Sequence, residues 1–74
     1  MSLIELKKHQ KAIVNSLQAS SALKQRLFSL GIVRGATIEV VDCSLSKSTI
    51  EIKVGNTLVA LRDSEAKQIE VEAI

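Results

Sequence analysis

The side chains able to do covalent or acid–base chemistry are few and scattered. His9 and Cys43 are the chain's only histidine and cysteine, and there is no tyrosine or tryptophan. An imidazole activates a thiol only within hydrogen-bond reach and with a third group orienting the ring, and these two lie in separate segments. His9 sits among Lys7, Lys8, Gln10 and Lys11, which reads as a solvated loop whose positive charge opposes metal capture. Cys43 follows Val40, Val41 and Asp42 and reads as a small apolar residue packed at a strand end. No CxxC, HxxxH or paired acidic spacing supplies the ligands a zinc or iron site collects, and Asp63 and Glu65 suit helix capping better. Gly31, Gly35 and Gly55 are too dispersed for a phosphate-cradling loop. The pattern predicts no catalytic residue, no metal site and no cofactor, hence a protein that is not an enzyme.

With 74 residues, 46% of them hydrophobic, the chain is expected to form one domain spanning residues 1–74. A lone cysteine permits no internal disulfide, which points to a reducing, cytoplasmic setting. Apolar runs are far shorter than the roughly 20 residues of a bilayer span. Net charge is only +2, yet residues 1–37 hold six basic residues against Glu5, while residues 38–74 hold four against seven acids. If the fold keeps these halves apart, one side is basic and could meet an acidic protein or nucleic acid.

Periodicity places the elements that must position any such surface. Lys11 to Leu17 reads as a first strand. From Ser21 to Leu30 the period changes, with Leu23, Leu27 and Leu30 forming an apolar stripe expected in the core and Lys24, Gln25 and Arg26 on the wet side. Ser20 or Ser21 can cap this helix, and Gly31 stands where a left-handed residue closes it, with Ile32 reaching back to Leu27. From Thr37, Ile38 and Val40 alternate with Glu39; from Thr49, Ile50, Ile52 and Val54 alternate with Glu51 and Lys53. Gly55–Asn56 suits a type II′ turn into a return strand, Thr57 to Leu61. Ser44 to Ser48 reads as a loop. Asp63 to Lys67 forms one helical turn, capped by Asp63 or Ser64 with Ala66 inward, before a last strand in which Ile69, Val71 and Ala73 alternate with Glu70 and Glu72. The order strand, helix, three strands, helical turn, strand favours closure into a small barrel that removes exposed edges, with the helix plugging one end.

Arg26-Leu27-Phe28-Ser29-Leu30-Gly31-Ile32-Val33-Arg34-Gly35, followed by alternating strands and by Leu58-Val59-Ala60-Leu61-Arg62-Asp63-Ser64-Glu65-Ala66-Lys67-Gln68-Ile69-Glu70-Val71, resembles the FeoA family, and Leu3-x-x-Leu6 looks like its opening. The resemblance spans nearly the whole chain. It departs from the family pattern in having Arg34 where proline is frequent before the turn glycine, and no glycine ahead of the first strand. It implies a mainly β SH3-like barrel of about five strands, with an α-helix inserted after strand 1 and a short helical turn before the last. It also implies a non-enzymatic accessory of bacterial ferrous iron transport, cytoplasmic at the inner face of the membrane, docking on the GTP-binding region of the FeoB transporter. On that reading Lys24, Arg26 and Arg34 offer charge to the partner, and Phe28 is either a core residue or an apolar anchor. The alternative is a basic small-barrel module for nucleic acid, for which Phe28 is the one stacking candidate. An unblocked acidic last strand could also pair two copies into a weak homo-oligomer.

Overall fold

A computed structural model describes residues 1–44 and 48–74. The elements follow the expected order: a 3-10 turn Leu3–Glu5, β1 (Lys11–Leu17), α1 (Ser21–Ser29), β2 (Thr37–Ser44), β3 (Thr49–Val54), β4 (Thr57–Arg62), α2 (Asp63–Ala66) and β5 (Ile69–Ala73). The expected loop at Ser44 to Ser48 lies largely outside the described residues.

One antiparallel sheet runs in the order β4-β3-β2-β1-β5. Alternation sets its inner face: Ala12 and Val14, Ile38 and Val40, Ile50, Ile52 and Val54, Val59 and Leu61, Ile69 and Val71 are all buried. Leu3 and Leu6 from the first turn, Leu27 of α1, Ile32 just after it and Ala66 of α2 complete that core, and every buried side chain among the described residues is apolar. Register shifts between Val14 and Ser16 on β1, and between Val40 and Asp42 on β2, bend the sheet as bulges do.

The architecture is the mainly β, SH3-like one, with one difference from the barrel inferred above. Among the described residues no ladder joins β4 to β5, so the sheet keeps two edges. The β5 edge is not the open one expected: Val71 donates its amide to the Met1 carbonyl at 2.8 Å, and Ser2 bridges Glu70. Nor are the basic and acidic halves kept apart. Lys11 faces Glu39 across β1 and β2, Lys53 faces Glu39 from β3, and Glu72 faces Ile13.

Turn chemistry explains the joints. Gly55 has φ +59 while Asn56 keeps an ordinary negative φ, as a type II′ hairpin requires. Ser20 accepts the Leu23 amide at the start of α1. At its end Gly31, with φ +86, allows both bonds of a Schellman closure: the Ile32 amide to the Leu27 carbonyl (2.9 Å) and the Gly31 amide to the Phe28 carbonyl (3.0 Å). The cap of α2 differs from expectation. Neither Asp63 nor Ser64 supplies it; Glu65 reaches back and accepts the Arg62 amide at 3.0 Å, because its position in the first turn brings a longer carboxylate to that donor.

Candidate docking groove

The insertion between β1 and β2 builds a concave surface on the outside of the sheet. α1 is fixed by Leu27, which is wholly buried; Leu23 and Leu30, expected in the core, are only partly buried and pack against its rim. A short helix lying against a curved sheet can sink one turn's side chain fully, and its neighbours at spacings of four and three stay at the margin. The face that carries Lys24 and Phe28, one turn apart, looks away from that core. Phe28 is 71% exposed, which decides between its two readings: it is not a core residue.

After α1 the chain makes a type II turn over Val33–Ala36. Ala36 donates to the Val33 carbonyl at 3.0 Å, with Gly35 at φ +88 in the position that needs it. Gly35 in turn donates to the Val14 carbonyl at 2.8 Å, so the turn is bolted to β1. The result is an open groove of about 550 Å³ lined by Leu17, Lys24, Gln25, Phe28, Val33 and Arg34. It continues along β1 past Asn15 and Ser16.

Three of the four residues singled out from the sequence therefore meet in one place: Lys24, Phe28 and Arg34. Arg26 does not join them. It lies on the other side of α1, where its guanidinium pairs with the Glu65 carboxylate of α2. Sequence reasoning missed Leu17, Gln25 and Val33 as groove residues. Leu17 and Val33 were masked by their apolar character, which alone points inward, although Leu17 ends its strand and Val33 opens a turn, places where a side chain can be left half exposed.

Electrostatically the groove is one-sided. No acid lines it, and the sequence from Leu6 to Ile38 contains none. Away from it, the Arg62 amide, and after it the charge of Arg26, hold the Glu65 carboxyl below its ordinary range against the opposing pull of partial burial.

The other reactive residues do not assemble. His9 is exposed on a turn closed by the Gln10 amide to the Lys7 carbonyl (3.0 Å), with its own amide donated to the Val40 carbonyl (2.7 Å) and φ at +72. Cys43 is exposed rather than packed, near the end of β2, although the register shift between Val40 and Asp42 sets it opposite the buried Ile50. It borders a second concavity of about 380 Å³ with Ile4, Leu6, Lys7, Lys8 and Ile50 among its walls. Among the described residues no three His, Cys, Asp or Glu side chains gather to hold a metal ion. No helix there is long and apolar enough to cross a membrane.

Comparison with known proteins agrees with this architecture. Residues 1–73 match the model of the FeoA domain. A protein of Campylobacter jejuni named for Fe(2+) transport protein A is 42% identical over 74 residues, covering all of both chains. The Fe(2+) transport protein A/Fe(2+) transporter FeoB fusion protein of Porphyromonas gingivalis is 31% identical across this whole chain, which spans 9% of that protein's length. The crystal structure of Stenotrophomonas maltophilia FeoA, described as a prokaryotic SH3 domain protein complexed with zinc, superposes with a TM-score of 0.85 at 38% identity, covering 97% of this chain and 89% of that one.

Proposed function

The chain belongs to the FeoA family, and from that premise we propose that it serves bacterial ferrous iron transport by protein–protein contact with the cytoplasmic GTP-binding region of an FeoB-type transporter. The chain does no chemistry on iron; it acts at the inner face of the membrane through its partner. The groove between α1 and the Val33–Ala36 turn is the contact surface, and the observation that carries this is the convergence there of Lys24, Phe28 and Arg34 on a rigid support. Exposed aromatic and arginine side chains on such a support are the groups that concentrate binding energy at interfaces. The fusion of the two modules in the P. gingivalis protein supports the pairing, since a covalent tether keeps partners at high effective concentration. Arg26 contributes from behind, holding α1 against α2.

The test is a titration of the labelled chain, read by amide chemical shifts, with the transporter's soluble cytoplasmic domain. Shifts are expected at Leu17, Lys24, Phe28, Val33 and Arg34, and the Phe28→Ala, Arg34→Ala double variant should lose them while remaining folded. Undiminished binding by that variant overturns the assignment of the groove. Stronger, salt-sensitive binding of duplex or single-stranded oligonucleotides, with no response to the domain, overturns the function and favours the nucleic-acid reading.

A further inference from the structure

We infer that the groove is selective for an acidic protein segment carrying an apolar anchor: one bulky aliphatic or aromatic side chain flanked by carboxylates. This rests on the docking reading above and adds the chemistry of what docks. The lining combines apolar surface from Leu17, Phe28 and Val33 with the cations Lys24 and Arg34 and includes no acid. Charge complementarity therefore sets the sign of the occupant. Arg26 does not add to this field, because Glu65 neutralises it on the far side of the helix. That leaves two cations in the same lining as the apolar side chains, a combination that an apolar side chain between carboxylates satisfies at once.

Phe28 strengthens the case. It is the chain's only aromatic, and aromatic side chains are the largest apolar contributors to cores and interfaces alike. Here the core is closed without it, by aliphatic residues alone, and the ring lines the groove while 71% exposed. A nucleic acid fits less well: successive bases need successive stacking platforms, and Leu17 and Val33 offer aliphatic surface in their place.

The experiment uses the full chain, isotopically labelled, and a short synthetic peptide with one leucine set between pairs of glutamates. Amide shifts at Leu17, Lys24, Phe28, Val33 and Arg34 are expected. Affinity should fall about tenfold or more when the glutamates become glutamines, when the leucine becomes serine, or when the chain carries Lys24→Glu with Arg34→Glu. Both substituted positions are exposed, and the unchanged amide shift of His9, remote at the other end of β1, reports an intact fold. Equal binding of the glutamine peptide, or tighter binding of a single-stranded oligonucleotide at the same residues, overturns the inference. So does a chain that binds the transporter's domain but none of the peptides, in which case the docking reading stands. The converse, peptide binding without any response to the domain, supports the groove's chemistry and removes the transporter as its partner.

Discussion

Arg26 of α1 and Glu65 of α2, 39 residues apart in sequence, hold each other across the outside of the molecule and join the two helices. Glu65 serves two donors at once, one oxygen accepting from Arg26 and the other from the Arg62 amide. The ion pair ties α1 to α2 on the side of the helix away from the groove.

This arrangement makes stability depend on pH in a defined direction. The Glu65 carboxyl is held below its ordinary value of 4.5, so its contribution is fully present above that value and is lost as pH falls through the lowered one. Near neutral pH, Glu65→Ala removes cap and ion pair together and should cost about 1–2 kcal/mol. Thermal unfolding followed by circular dichroism should show the gap between parent and variant narrowing as the solution is acidified below pH 4.5. A gap that stays constant down to strong acid contradicts the role given to this carboxylate.

Leu27 and Phe28 are neighbours in sequence with opposite fates. Leu27→Ala opens a cavity in the core and should cost about 2–5 kcal/mol. Phe28→Ala removes an exposed ring and should stay within about 0.5 kcal/mol of the parent. Denaturant titrations of the two variants measure the contrast, and a Phe28→Ala loss as large as that of Leu27→Ala would return the ring to a structural role.

Arg34 occupies the first central position of the type II turn, where proline's fixed φ suits the backbone. Arg34→Pro should therefore raise stability by about 0.4–1 kcal/mol through the unfolded chain, while removing one of the groove's two cations. Unfolding and partner binding should move in opposite directions in this single variant. If both weaken, the Arg34 backbone is doing something other than turning.

His9 holds a left-handed conformation at φ +72, ahead of a strand that the turn must feed into the sheet. A β-branched residue tolerates that region poorly, so His9→Val should destabilise by about 1–2 kcal/mol, whereas His9→Gly should not. The two midpoints in urea settle the comparison.

Local devices were legible in the sequence because a few adjacent residues determine them. The bounds of β1, the Gly55–Asn56 hairpin, the Ser20 cap and the closure at Gly31 each depend on residues within one turn or one alternation, and the structure has them as expected. What could not be read depends on the fold bringing distant segments together. Glu65 looked like one of several possible capping acids, and nothing near Arg26 in sequence shows that its charge is spent on α2. The covering of β5 by Met1 and Ser2 joins the two ends of the chain. Cys43 looked apolar and packed because a lone cysteine commonly behaves as a small hydrophobe, and nothing near it in sequence shows that the end of β2 leaves it open. For the groove, the charges and the ring were visible; the half-exposed Leu17 and Val33 were not, since an aliphatic residue at an element's end carries no mark of which way it turns.

β1 and β2 are already paired, so the sheet would be satisfied by any short link between them. Instead the chain detours through α1 and the turn after it, and six of the groove's residues fall on that detour or at its threshold, from Leu17 to Arg34. Only Leu27 and Ile32 of this stretch are anchored in the interior. The detour is thus a cassette: a lineage can rewrite its outward residues to suit a new correspondent while the ladders beneath go unedited, and an engineer can graft it in the same way onto another hairpin that offers sockets for those two side chains.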